Sequence, residues 1–296
     1  MMKQVFTIAS LSLLIIGANA TLAAAQTQVE QNPQIKVQYV APKYLALAQR
    51  LLKRRVLEEY SQFMSPLRLK APLTISTEEC GEVNSDYNFS RHYIRICYEF
   101  LDMVENEAAI PQAQLPPPLN DTKKYPGIGL MDGYTRAEVI VGGTTVVALH
   151  ETGHAVFDIQ GIPRLGREED AADEISGLVM LQFGKSLART LIKGTINVWH
   201  HMQGRYGFDE RSSLGDVHSI SIERAVNYLC LAYGQDAASF EDLAQQWLPT
   251  QRKSNCKYEY QQALLAFKKT VMPFVDMDQL KKVQSMQFLQ PEDSKL

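Results

Sequence analysis

The stretch HETGHAVFDIQGIPRLGREEDAAD, residues 150–173, opens with two histidines four apart and closes in a cluster of acids. On a helix that spacing brings His150 and His154 to one face, one turn apart. Two neutral imidazoles so placed can hold one side of a tetrahedral zinc ion. Glu151, beside the first histidine, is turned towards the place of a bound water. A carboxylate there can take the water's proton while zinc lowers that water's pKa towards neutrality. This is the HExxH arrangement of zinc peptidases. The motif is short, so its surroundings must support it. They do: Val146, Val147, Leu149, Val156 and Ile159 make the flanking helix largely apolar. A buried helix seldom keeps two histidines and a glutamate without a use, because burying polar groups is costly.

The third ligand follows by elimination. The longer HExxHxxGxxH pattern needs a glycine and a third histidine, and this chain has Phe157 and Gln160 there, which excludes that family. The remaining common choice is a glutamate from a following helix. Gly161, Pro163 and Gly166 break the chain, and a new helix is expected near Arg167. Glu169 and Asp173 then lie four apart on one face. Glu169 is favoured over Glu168 as the metal ligand, with Asp173 accepting a hydrogen bond from a ligand histidine and fixing its ring. Glu168 has Ala172 four residues on, and it and Asp170 are expected to point elsewhere, favouring the helix N-terminus.

Working outward, the chain of 296 residues is 45% hydrophobic, enough for a real core in one large domain or two small ones. The formal net charge of -3 lacks the basic footprint of a nucleic-acid binder, and Lys53-Arg54-Arg55 reads as a solvated face. Lys3, an apolar run from Val5 to about Gly17 and the small residues Ala23-Ala24-Ala25 describe a signal peptide over 1–25. The apolar run is short for a membrane span. The mature protein is therefore expected to be exported, periplasmic or extracellular, with no membrane span after cleavage. In an oxidising compartment Cys80, Cys97, Cys230 and Cys256 suggest two disulfides. Of three possible pairings the sequential one is favoured: Cys80 and Cys97 bracket a hairpin-like stretch, Cys230 and Cys256 a helical pair.

Residues 26–41 read as a flexible N-terminal segment and 42–296 as one domain. Pro42 to Met64 is helical in pattern. PLTISTEEC and RHYIRICYEF are β-rich, with NSDYNFS as the turn between them, and YEFLDMVENEAA looks helical. Residues 111–127 hold five prolines and no periodicity, a loop of the functional or mobile kind. From Arg136 onward the chain reads as helices. The fold class is α+β, a small N-terminal sheet with a hairpin and a mainly helical body carrying the HExxH helix.

The chain resembles the glutamate-zincins, in which HExxH is followed by a helix carrying a glutamate and an aspartate four apart. The resemblance is closer to an exported bacterial metallopeptidase group known mainly as a domain of unknown function. It is carried by CGEVNSDYNFSRHYIRICYE, HETGHAVFDIQGIPRLGREEDAAD and DVHSISIERAVNYLCLAYG, which span most of residues 70–235. It implies a zincin-like fold and a zinc peptidase acting on peptide or protein substrates. The alternatives are a non-catalytic zinc protein on a peptidase fold, against which Glu151 argues, and another zinc hydrolase such as a cell-wall amidase. Attack on a carbonyl also calls for a donor to the developing oxyanion. SLGDVHSISIERAVNY offers Asp216, His218 and Arg224, and a histidine held by a carboxylate would stay cationic and oriented. Glutamate-zincins use a histidine or tyrosine donor on a later segment, which implies His218 by order along the chain, with Tyr206 and Tyr134 in reserve. DVHS is equally a turn and helix cap. Asp158 reads as a neighbour of the site or as surface, His200 and His201 as a helix end, and His92 as structural within a strand.

Overall fold

The computed structural model describes residues 32–40, 43–121, 123–207 and 217–286. The signal-peptide expectation, Asp216 and the chain end lie outside them. The fold is α+β: a four-stranded sheet near the N-terminus and a helical body. Strands β1 (Ile35–Tyr39), β2 (Leu73–Glu78), β3 (Ser85–Asn88) and β4 (Tyr93–Cys97) stand in the order β1-β2-β4-β3. β1, β2 and β4 are parallel; β3 runs antiparallel to β4 at the edge. Helices α1 (Leu45–Lys53) and α2 (Val56–Phe63) make the crossover that a parallel β1–β2 pair requires. The expected single helix over this region is broken at Arg55, whose φ of 55° is left-handed.

Two expectations are corrected here. Part of the expected flexible segment 26–41 is strand β1, which pairs along β2 with Ile35 buried. Ile35, Val37 and Tyr39 alternate with polar residues, the signature of a half-buried strand. NSDYNFS is not a turn either: Ser85–Asn88 form β3, and the reversal falls at 89–92, where His92 takes a φ of 46° and lies outside the strands. Local turn chemistry loses because Tyr87 buries its ring and donates its hydroxyl to Asp158 Oδ2 at 2.7 Å.

The helical body follows α3 (Tyr98–Met103), which continues as a π-helical turn at Val104–Ala108. It comprises α4 (Arg136–Gln160), α5 (Glu168–Met180), α6 (Lys185–Tyr206), α7 (Ser221–Gln235), α8 (Ala237–Trp247), α9 (Thr250–Thr270) and α10 (Met277–Gln284). A capping box starts α4: Glu138 N donates to Thr135 Oγ1 at 3.2 Å and Thr135 N to Glu138 Oε2 at 2.9 Å. Gly161, with φ of 66°, ends it. Helix α4 is buried on almost every side, as an apolar helix at the centre of a bundle must be.

Glycines let the neighbours come close. A Cβ on Gly142 would lie 2.6 Å from Gly194 Cα of α6, and one on Gly153 would lie 2.9 Å from Ala172 Cα of α5. The stretch 129–133, between the proline-rich segment and α4, is tied down by α6. Lys193 donates to Gly133 O at 2.8 Å, Asn197 Oδ1 accepts from Met131 N at 2.9 Å, and His201 Nδ1 accepts from Gly129 N at 3.3 Å. These residues recur every four positions, one stripe on the helix. Disulfides join Cys80 to Cys97 and Cys230 to Cys256, the sequential pairing expected. Among the described residues no helix is long and apolar enough to cross a membrane.

Candidate metal centre

Helix α5 begins at Glu168, where a new helix was expected, and runs back along α4. The T-G pair inside HETGH allows this: Gly153 has no side chain to hold α5 away. Ser176 therefore faces Val146, Asp173 faces His150 and Glu169 faces His154, one turn at a time. The two ends of the opening stretch thus meet.

Three atoms converge. His150 Nε2 lies 3.0 Å from Glu169 Oε2, His154 Nε2 lies 3.2 Å from the same oxygen, and the two nitrogens are 3.2 Å apart. Ligands about 2.0–2.1 Å from a tetrahedral zinc stand about 3.3 Å from one another, so the triangle is of the right size. The other ring nitrogens are engaged: His150 Nδ1 lies 2.8 Å from Asp173 Oδ1, and His154 Nδ1 lies 2.9 Å from Glu168 Oε1. With each Nδ1 donating to a carboxylate, both Nε2 atoms face Glu169 Oε2, a place that a proton or a metal cation can occupy. Charge agrees. Arg164 pairs with Glu168 and Arg224 with Asp173, which leaves Glu169 without an arginine partner among the described residues and set between the imidazoles, as a carboxylate ligand to a cation would be.

Glu168 and Asp170 correct the sequence reading. Glu168 is drawn in by His154 and is held on its other oxygen by Arg164 Nη2 at 2.5 Å. Asp170 Oδ1 accepts from the Ser219 hydroxyl at 2.7 Å. Neither points away. Asp173 accepts from more than a histidine. Arg224 donates to both its oxygens at 2.7 Å and Tyr228 donates at 2.9 Å, while the Arg224 guanidinium lies 3.8 Å above the Trp199 ring. Arg224 and Tyr228 are four apart on the buried face of α7, a spacing readable in sequence; their partner is not.

The electrostatics follow from burial and these contacts. Burial lowers the His150 pKa, but the charge and hydrogen bond of Asp173, with Glu169, raise it to about 9 in the metal-free protein. His154 is raised too, against burial, by Glu169 and Glu168. Burial would raise Glu169, yet hydrogen bonds with His150, His154 and His218 hold it far below the carboxylate range. Glu151 is 5% exposed, and burial pushes its carboxyl up against the opposing pull of the two imidazoles.

His218 is at the centre rather than in a remote turn. Its Nε2 lies 2.8 Å from Glu169 Oε2, and its ring is 5.9 Å from that of His150. The ligand atoms of His150, Glu169 and His218 all fall within 4.8 Å of one another. Of the reserves, Tyr206 is exposed on the wall of the adjoining cavity, whereas Tyr134 is buried beneath Lys193, away from the cluster. His200 and His201 sit within the last turns of α6, His200 packed against Gly127 and His201 accepting from Gly129 N. His92 lies 3.6 Å from Asp158.

Two cavities flank the cluster. One of about 320 Å³ has walls of Phe100, Val147, Trp199 and Met202; the other, about 510 Å³, is lined by Tyr87, Phe89 and Val217. They share Asn84, Ser85, His150, Glu151 and His218, so edge strand β3 passes along both. The model of one family, DUF4344, described as "Putative metallopeptidase", matches residues 37–270. No curated protein and no solved structure matches.

Proposed function

The chain belongs to this metallopeptidase family, and on that premise we propose that it is a zinc-dependent peptidase of the exported class. The observation that carries the reading is the triangle of His150 Nε2, His154 Nε2 and Glu169 Oε2 with Glu151 beside it. His150, His154 and Glu169 would hold the ion. Zinc, when bound, supplies a Lewis acid that acidifies water and polarises a carbonyl.

The protein's own groups do the rest. Glu151 takes a proton from the attacking water and returns it to the leaving amine; its raised pKa brings it nearer the value such transfer favours. Asp173, itself fixed by Arg224 and Tyr228, orients His150, and Glu168 orients His154. His218, whose Nε2 lies 2.8 Å from Glu169 Oε2, would donate to the oxygen on which negative charge develops. Cavities on both sides of Glu151 leave room for a polypeptide to extend either way from the cut bond. Two disulfides support export, since such bonds persist outside the reducing cytoplasm.

The test is metal analysis with a base-deleted variant. Protein purified without chelator is expected to carry about one zinc per chain. Glu151→Gln should keep the zinc and lose hydrolysis of a peptide panel, because the base is not a ligand. A native protein without zinc, or an active Glu151→Gln variant, rejects the reading.

A further inference from the structure

His218 stands on a segment that leads into α7, and its side chain is 37% exposed. Its Nε2 faces Glu169 Oε2 at 2.8 Å, a contact whose geometry depends on where the backbone at 218–219 is held against α5. The adjacent residue is held firmly. Ser219 is 7% exposed; its hydroxyl donates to Asp170 Oδ1 at 2.7 Å and accepts from Arg167 Nη2 at 2.7 Å. Arg167 Nε closes the triangle on Asp170 Oδ2 at 3.1 Å. A hydroxyl bonded on both sides by ionised groups makes short, directional contacts. Asp170 follows Glu169 on α5, and Asp173, which Arg224 of α7 clamps, is one turn further on. The His218 segment and the start of α7 are thus tied to α5 at Asp170 and Asp173, both within the turn that follows the carboxylate His218 faces.

We propose that Ser219, latched between Asp170 and Arg167, is a positioning residue that sets His218 over the metal centre. The latch ties His218 to the same helix that delivers Glu169, so donor and ligand share one rigid frame. Misplacement of a reacting group by about 1 Å costs up to a hundredfold in rate. The effect on turnover rests on the peptidase reading; the ring's fixation does not.

The experiment uses the full-length zinc-loaded protein and a mixture of fluorogenic peptides. Ser219→Ala should lower kcat about tenfold, with KM within about twofold and zinc content unchanged. Asp170→Ala should match it, while Asp170→Asn, which keeps an oxygen for the Ser219 hydroxyl, should lie nearer wild type. In a His218→Ala background Ser219→Ala should cost nothing further; an equal loss there overturns the proposal, because the hydroxyl would then act on something else. Ring signals from ¹⁵N-histidine spectra give a reading independent of activity. The His218 ring should be well ordered in wild type and mobile in Ser219→Ala. Equal order in both overturns the latch even if no peptide is cut, whereas mobility without any wild-type cleavage would reject the peptidase reading and leave the latch standing.

Discussion

Glu168 and Glu169 are neighbours in the chain and serve opposite ends of one imidazole: Glu168 meets His154 Nδ1 and Glu169 faces His154 Nε2. A turn of about 100° per residue separates them on α5, so both can face α4 only because that helix presents a ring between them. The consequences of removing each should differ in size. Glu169→Ala deletes an atom of the ligand triangle and should abolish tight zinc binding. Glu168→Ala and Asp173→Asn leave the triangle but release a ring, and should weaken zinc by about ten- to a hundredfold. Competition titration with a chromophoric chelator measures all three. If Glu168→Ala strips the ion as fully as Glu169→Ala, the assignment of the two glutamates is reversed.

At the scale of elements, the distance between α4 and α5 decides whether the ligands meet. Gly153 sits at their closest approach, with Ala172 Cα 2.9 Å from where a Cβ would stand. Gly142 plays a like part between α4 and α6, remote from the cluster, where a Cβ would meet Leu191 O at 2.5 Å. Alanine gains up to about 1 kcal/mol of helix propensity at either place. Overpacking against backbone costs about 1–3 kcal/mol, so both Gly153→Ala and Gly142→Ala should lower the melting temperature. Only Gly153→Ala should also weaken zinc, because only it separates Glu169 and Asp173 from the histidines. Equal zinc affinity in the two variants would show that the site does not depend on this approach.

For the whole molecule, metal and proton compete for the same place. In the metal-free protein His150 is lowered by burial but raised by Asp173 and Glu169, from 6.5 to about 9. A folded pKa above the unfolded one contributes stability that is complete below pH 6.5 and is lost as pH rises through about 9. Glu169 and Asp173 are shifted the other way, so their contributions are intact above about pH 4.5 and fade only in acid. Chelator-treated protein should therefore lose melting temperature between pH 6.5 and 9, while zinc-loaded protein holds its own, the ion having replaced the proton. Parallel declines in the two samples would count against proton-for-metal exchange at His150.

Much of this protein is readable along the chain. HETGH, the break at 161–166 and the restart of a helix near Arg167 are local facts, fixed by spacing and by residues that stop helices, whereas the sequential cysteine pairing was favoured among three and decided by the fold. The mixed α+β class follows from where period two gives way to period 3.6. Strand β1 was written in the alternation of Ile35, Val37 and Tyr39, although polar neighbours mask it. Other features arise only when elements meet. Ser85–Asn88 becomes a strand because β4 offers an edge and Asp158 takes the Tyr87 hydroxyl, against its own turn-forming residues. Glu168, Asp170 and Asp173 of α5 find His154 on α4, Ser219 ahead of α7 and Arg224 within it. Sequence specifies which residues share a face of one helix, because the backbone alone sets that period. It does not specify what lies opposite, because the packing of one helix on another is set by the sum of many weak apolar contacts, and only that packing brings each acid to its partner.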